Sequence, residues 1–195
     1  ENHKINPQYP YAQSKYFAEQ LCLHWHKVYK LQVNSLRIFN AYGPRSRTTG
    51  AYGAVIGVFM KQLIANKPFT VVGNGKQKRD FLFVSDLAEA FFKATITKKS
   101  GRIWNLGSSS PQSINKLCKI LGNNKKVKLP KRPGEPNITH ANTTKISQDL
   151  NWKPKVTINQ GVGELLSNIK LWTNAPLWTK SKIKEATKTW FKFLK

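Results

Sequence analysis

Short apolar runs alternate along this chain with longer amphipathic stretches, and that alternation restricts the fold more than any other feature. Lys30 to Phe39, Phe69 to Val72, Phe81 to Val84 and Ile103 to Leu106 read as strands, the first of them buried. Between and after them, helical spacing covers Tyr11 to Tyr29, Val55 to Ala65, Ser85 to Thr97, Ile114 to Leu121, Thr143 to Leu150, Gly161 to Trp172 and Lys182 to Leu194. Strands interleaved with helices of this length predict an α/β architecture. The punctuation agrees: Pro7 and Pro10 hold the start out of helix, and Gly73-Asn74-Gly75 marks a turn. Ser85 or Asp86 is expected to cap the third helix and Ser113 the fourth. Gly122 to Asn142 reads as a lysine- and proline-rich loop with an extended piece around Val127.

Composition excludes several classes. At 195 residues and 39% hydrophobic content the chain is long and apolar enough to bury a core. No run of about 18 apolar residues occurs, so no membrane span is expected; the first residues carry no signal-peptide pattern, which points to the cytoplasm. Cys22 and Cys118 lie far apart in helical stretches with no histidine cluster beside them, which predicts two reduced, buried cysteines and no metal. The net charge of +24, from 33 Lys and Arg against 9 Asp and Glu, usually signals an anionic partner. Here the lysines are spread over the whole chain, and no zinc-finger, RRM or zipper spacing accompanies them. A nucleic-acid partner is therefore not favoured, although a non-catalytic module binding an acidic polymer stays open.

The chemistry-bearing candidate is Tyr11-Ala12-Gln13-Ser14-Lys15. Residues four apart share a helix face, so the Tyr11 hydroxyl and the Lys15 ammonium can meet. A cation beside a phenol favours the phenolate, which suits a tyrosine acid/base. The spacing alone is as compatible with a solvated helix face.

The segments that follow sharpen it. Glu19 follows the first motif, and Leu36-Arg37-Ile38-Phe39-Asn40-Ala41-Tyr42-Gly43-Pro44-Arg45 comes next. Val72-Gly73-Asn74-Gly75-Lys76-Gln77-Lys78-Arg79-Asp80-Phe81, Val84-Ser85-Asp86-Leu87-Ala88 and Asn105-Leu106-Gly107-Ser108 continue the series. Lys131-Arg132-Pro133-Gly134-Glu135-Pro136 and Leu150-Asn151-Trp152-Lys153-Pro154 complete it. In this order the chain resembles the NAD-dependent epimerase/dehydratase family, the extended short-chain dehydrogenase/reductases acting on nucleotide sugars. The UDP-glucose 4-epimerase-like branch is nearest, with UDP-glucuronate decarboxylases and NDP-sugar 4,6-dehydratases beside it.

The resemblance implies the C-terminal part of a Rossmann-type doubly wound sheet plus a small mixed α/β substrate-binding domain. Residues 1–42 and about 80–107 would belong to the NAD-binding unit, and 43–79 and 108–172 to the nucleotide-sugar-binding unit. Residues 173–195 would form a C-terminal amphipathic helix. No Gly-x-Gly-x-x-Gly turn occurs in the sequence, and the family carries it well before its tyrosine. The chain is thus expected to correspond to the C-terminal portion of such an enzyme and to be inactive alone.

Roles follow by the same resemblance. Tyr11 would be the acid/base and Lys15 its partner on the nicotinamide ribose, with Phe39 and Ala41 along the nicotinamide of NAD. Asn40 would bond the sugar nucleotide or stabilise the turn before Tyr42-Gly43-Pro44, Val55 and Ile56 would edge the nucleobase or serve the helix core, and Arg79 and Arg132 would clamp the diphosphate. Glu135, where relatives often carry Asp, would hold the nucleotide ribose. Asp80 as an ion-pair partner of Arg79 is the structural alternative. Arg45, Arg47 and Gly50-Ala51-Tyr52-Gly53 would cover the sugar or form a solvated basic loop. Tyr9 is assigned to packing. The family often dimerises through the tyrosine-bearing helix, so Phe17, Leu21 and Trp25 are assigned either to a homodimer interface or to the core.

Overall fold

The computed structural model describes residues 1–46, 48–49, 55–122 and 125–193. Arg47, the Gly50–Gly53 segment and Leu194, named above, lie outside the described residues.

The first helix, α1, runs Pro10–Tyr29. Pro10 supplies a preset φ where a backbone N–H would be unpaired anyway, and the helix ends at Lys30 in the left-handed conformation. β1 (Asn34–Ile38) pairs in parallel with β6 (Arg102–Leu106), Leu36 opposite Trp104. β2 (Ala41–Tyr42) pairs in parallel with β5 (Leu82–Phe83). β3 (Phe69–Val72) pairs in parallel with β8 (Lys126–Leu129), the extended piece expected around Val127. β4 (Lys78–Arg79) pairs antiparallel with β7 (Gln112–Ser113). The remaining helices are α2 (Val55–Ile64), α3 (Val84–Ile96), α4 (Ile114–Ile120), α5 (Thr144–Leu150), α6 (Ile158–Ser167), α7 (Lys180–Ala186) and α8 (Lys188–Phe193). Parallel strands joined through helices make the molecule α/β, as the alternation requires.

Two apolar clusters hold these elements. One gathers Phe59 and Met60 of α2, Phe69, Phe81, Phe83, Leu117 of α4, Val162 and Leu165 of α6, and Trp172. The other joins Leu82, Ala90, Trp104, Leu106, Ile146 and Trp152. Trp152, fully buried, also donates its Nε1–H to the Asp86 carbonyl at 3.1 Å. Asp86 returns the tie: its Oδ2 accepts from the Lys155 and Val156 amides, both at 3.0 Å. The Asn-Trp-Lys-Pro segment therefore closes α5 onto α3, with Asn151 in the left-handed region that asparagine tolerates.

Several expectations change. Asp86 does not cap α3, because it is buried and turned to residues 155–156; the cap position falls on Phe83, which has no side-chain acceptor, and Ser85 lies inside the helix. The strand expected at Phe81–Val84 shortens to β5, because Val84 already turns into α3. Ser113 does cap α4, accepting from the Lys116 amide. The strand expected over Lys30–Phe39 is shorter and only half-buried, since α1 covers one side without burying any residue of its own. Helix α6 starts three residues before Gly161, because Thr157 and Gln160 form a reciprocal capping box, and it tightens into a 3₁₀ turn at Ile169–Trp172. The C-terminal helix is broken at Thr187, whose buried hydroxyl bonds back to the Ile183 carbonyl at 2.8 Å. Cys118 is buried as expected, but Cys22 is exposed because its helix has no buried face.

Candidate active site

The tyrosine helix is held to the sheet by one ion pair. Glu19, on α1, accepts from Arg37 Nε at 2.8 Å and from its Nη2 at 2.7 Å, and from the Ser35 hydroxyl at 3.2 Å. The forked arrangement fixes α1 against β1 in register as well as in distance. Hydrogen bonds from Arg37 hold the Glu19 carboxyl below the usual carboxylate range, against the opposing effect of burial. A lowered folded value means that the pair stabilises fully above the unfolded value of about 4.3 and loses that contribution as pH falls through the folded one. Glu19→Gln is therefore expected to flatten the acid limb of stability, read as urea midpoints between about pH 3 and 7. An unchanged limb would mean that the pair does not anchor α1.

On the outer side of that anchor, Lys15 Nζ lies 5.4 Å from the centroid of the Tyr11 ring. The helical spacing puts the two side chains together, but with the ammonium over the ring face and not at the hydroxyl as expected. Tyr11 is 73% exposed, and both residues line an open groove of about 1130 Å³ together with Ser35, Arg37 and Phe39. Tyr42 makes the contrast: its hydroxyl is buried without a partner, and its pKa is raised by burial first and then by the charges of Asp86 and Glu164. A phenol held neutral in that way does not exchange protons near neutrality.

At the carboxyl end of β1, Phe39 continues the pairing through its amide to the Leu106 carbonyl at 2.8 Å, and it shares the groove of Tyr11. Asn40 is exposed, and its Oδ1 accepts from the Thr139 hydroxyl at 2.9 Å. That contact orients the amide and leaves its N–H₂ with no acceptor among the described residues. Ala41 lies in β2 opposite Leu82, outside the residues lining the groove.

Arg79 and Glu135 come together. Arg79 is 8% exposed, and its Nη2 donates to Glu135 Oε1 at 2.7 Å while Nη1 donates to the Pro136 and Lys78 carbonyls at 2.9 and 2.8 Å. The other carboxylate oxygen, Glu135 Oε2, is buried with no partner. An acceptor left unpaired costs about 1–3 kcal/mol unless something donates to it. Glu135 opens onto a cavity of about 340 Å³ lined also by Gln77, Lys131 and Asn137. Asp80 does not pair with Arg79, the alternative raised from sequence: it accepts from the Ser108 amide and hydroxyl, both at 2.6 Å, and from the Ala141 amide at 2.8 Å. Buried backbone donors outcompete a neighbouring guanidinium that already has three acceptors.

Arg132 lines a different cavity from Glu135, one shared with α7 and α8. Val55 is half-buried at the start of α2 and packs against the first apolar cluster. Tyr9, assigned to packing, also donates its hydroxyl to the Gly134 carbonyl at 2.5 Å and tilts against Trp190, ring centroids 6.0 Å apart. Trp190 donates in turn to the Pro133 carbonyl at 3.3 Å. Thr139, which bridges Asn40 and the Asp80 amide, was not among the sequence candidates, because one hydroxyl in a loop carries no spacing signal. Among the described residues no group of three or more His, Cys, Asp or Glu is placed to hold a metal, and no helix is long and apolar enough to cross a membrane.

Comparison with known proteins places the chain in a family. The chain is 33% identical over 162 residues to the UDP-glucuronate 4-epimerase of Thermodesulfobacterium geofontis, covering 80% of this chain and 49% of that protein. It is 32% identical over 165 residues to UDP-glucuronic acid decarboxylase 4 of Arabidopsis thaliana, covering 82% and 37%. Among solved structures, the UDP-glucuronic acid 4-epimerase of Bacillus cereus, in complex with UDP-glucuronic acid and NAD, superposes with a TM-score of 0.75 at 34% identity, covering 85% of this chain and 54% of that one. The chain thus spans about half the length, or less, of these proteins. Residues 1–165 match the family described as GDP-mannose 4,6 dehydratase, and on that match, with relatives on both sides of the epimerase–decarboxylase divide, the chain belongs to this family of nucleotide-sugar epimerases and dehydratases.

Proposed function

We propose that the chain carries the acid/base pair and most of the substrate contacts of an NAD-dependent nucleotide-sugar enzyme, and that its reaction is UDP-hexose 4-epimerisation. The Tyr11–Lys15 contact in an open groove beside Phe39 is the observation that carries this reading. The groove suits a nicotinamide riboside in one respect that matters: the Lys15 ammonium has no carboxylate partner among the described residues and is free to donate to a ribose hydroxyl. Bound there, NAD would supply reversible hydride acceptance from the sugar C4.

The chain's own residues do the rest. The Tyr11 oxygen removes the proton from the C4 hydroxyl as the C4–H bond breaks, leaving a ketone, and returns that proton when the hydride comes back to the other face. Lys15 holds its ammonium over the Tyr11 ring, placing a positive charge beside the group that takes the proton. Asn40 donates its unpaired amide N–H to the sugar nucleotide, Arg132 supplies a guanidinium fork for the diphosphate, and Arg79, whose donors are taken by Glu135 and two carbonyls, adds positive charge behind it and holds Glu135 in place. Glu135 offers its unpaired Oε2 to the nucleotide ribose hydroxyls, which would remove the cost of that orphan acceptor. Ala41 backs the nicotinamide side, and Val55 edges the base. Residues 1–42 with 80–107 would form the NAD-binding side, and 43–79 with 108–172 the nucleotide-sugar side.

The test is incubation of the full-length enzyme that carries this chain with UDP-glucose and NAD, with nucleotide sugars resolved by anion exchange. UDP-galactose is the expected product. A UDP-pentose from UDP-glucuronate, or a 4-keto-6-deoxy sugar from an NDP-hexose, would instead assign the decarboxylase or dehydratase reaction. Failure to bind any nucleotide sugar would overturn the reading.

The exposed stripe of Phe17, Leu21 and Trp25, at 60%, 58% and 46%, supports a homodimer packed through α1 over a core role for that face. Leu21→Lys is expected to convert the species seen in sedimentation velocity from dimer to monomer. A wild-type monomer, or a variant that stays dimeric, would remove α1 from the interface.

A further inference from the structure

Asn40 lies just beyond the end of β1, and its side chain is exposed. What that side chain can offer a ligand is decided by a chain of hydrogen bonds that starts in the interior. Asp80 is the fixed end, its carboxylate spent on the Ser108 amide and hydroxyl and on the Ala141 amide. The Asp80 amide donates to the Thr139 hydroxyl at 3.1 Å, and that hydroxyl donates to Asn40 Oδ1 at 2.9 Å. Thr139 is itself pinned. The Asn137 carbonyl accepts from the Lys78 amide at 2.9 Å and the Thr139 amide donates to the Lys78 carbonyl at 3.1 Å, so residues 137–139 run beside β4.

The direction of the chain follows from the hydrogens available. A threonine hydroxyl has one to give, and its other contact is with a donor, the Asp80 amide. Among the described residues its acceptor is Asn40 Oδ1. Turning the Asn40 amide over would bring Nδ2 to the hydroxyl and strand the hydroxyl hydrogen of a half-buried side chain. Asn40 therefore faces outward with N–H donors and no acceptor. Each bond in such a series polarises the next, which strengthens the outward donors. The backbone of Asn40 is held as well, its carbonyl accepting from the Leu82 amide at 3.2 Å.

We propose that Thr139 is a positioning residue of the substrate site, one that touches no ligand and acts by holding the Asn40 amide donor-outward. This rests on the reading above that Asn40 bonds the sugar nucleotide. A diphosphate offers acceptor oxygens only, and an amide free to turn would present its own carbonyl oxygen to them part of the time. The same segment clasps Arg79 through Glu135 and the Pro136 carbonyl, so residues 135–139 set both groups at once.

The test is isothermal titration of the full-length enzyme that carries this chain with UDP-glucose, each variant also being melted. Asn40→Ala is expected to weaken binding by about tenfold, the loss of a hydrogen bond to a charged group. Thr139→Val is expected to weaken it by about fivefold, while Thr139→Ser, which keeps the hydroxyl, stays within about twofold of wild type. In the Asn40→Ala background, Thr139→Val is expected to change the affinity no further, because the group it positions is gone. A purely structural role would lower the melting temperature without that coupling or that rescue. Asn40→Asp, at an exposed position, keeps an acceptor for Thr139 but offers no donor, and is expected to bind no better than Asn40→Ala. Asn40→Ala binding like wild type would overturn the assignment of Asn40, and the role of Thr139 with it. With Asn40→Ala weakened, three results would each remove Thr139 alone: Thr139→Val binding like wild type, an equal further loss in the double variant, or Asn40→Asp binding like wild type.

Discussion

Tyr11→Phe is expected to lower kcat by about a thousandfold, or about 4 kcal/mol of transition-state stabilisation, while leaving nucleotide-sugar affinity and stability where they are. The split follows from geometry. Tyr11 is 73% exposed, and its ring meets Lys15 rather than the core, so removing one oxygen takes away no packing. The oxygen lost is the proposed proton acceptor, and Tyr42 does not take its place, being buried with a raised pKa. The checks are steady-state kinetics on the active enzyme, titration with UDP-glucose, and a thermal melt. A variant that keeps within about tenfold of wild-type kcat would remove Tyr11 from the proton transfer, and one that loses binding equally would recast it as a substrate contact.

Asp80→Ala is expected to cost about 3–5 kcal/mol of folding stability, a drop in melting temperature of about 10 °C for a chain of this size. Asp80 is fully buried and satisfies the Ser108 amide, the Ser108 hydroxyl and the Ala141 amide at once. Truncation leaves those donors in a space too tight to admit replacement groups. A side chain added at Gly107 would come within 2.8 Å of Asp80 Oδ2 and 2.5 Å of the Ala141 Cβ, so this loop closes only around glycine. Because Asp80 sits next to Arg79, the variant is also expected to weaken nucleotide-sugar binding, by loosening the segment that presents the guanidinium. Urea denaturation decides the matter: a loss under about 1 kcal/mol would mean that water replaces the carboxylate, and the loop is not closed by it.

Local elements were legible wherever chain-local chemistry sets them. Pro10 and the unbroken run to Tyr29 place α1, Ser113 caps α4, and the turn at Gly73 and Gly75 uses the positive φ that glycine allows. Gly75 has a second reason that no local reading supplies: a Cβ there would meet the Asn115 side chain at 2.4 Å. The errors share one cause. Asp86 has the composition of a cap and Asp80 that of a partner for Arg79, yet each is claimed by backbone amides far away in sequence. A carboxylate goes to the donors that burial would otherwise leave unpaired, and those are known only once the chain has folded. The continuous C-terminal helix failed similarly, because Thr187 is buried at the break and its hydroxyl is turned back to the Ile183 carbonyl.

By itself, the sequence determined the α/β class through its alternation of strands and helices, the Tyr11–Lys15 contact through helical spacing, and the family through the order of its motifs. Those are matters of period and residue type, which a linear reading preserves. Only the tertiary structure decided that Arg79 meets Glu135 and leaves one carboxylate oxygen unpaired, that Arg132 faces a separate cavity, and that the lysine-rich end folds back to line it. Those depend on which buried donors and acceptors remain after the long-range pairs form. In a chain with 33 basic residues and 9 acidic ones, the position of each scarce carboxylate is settled by that competition.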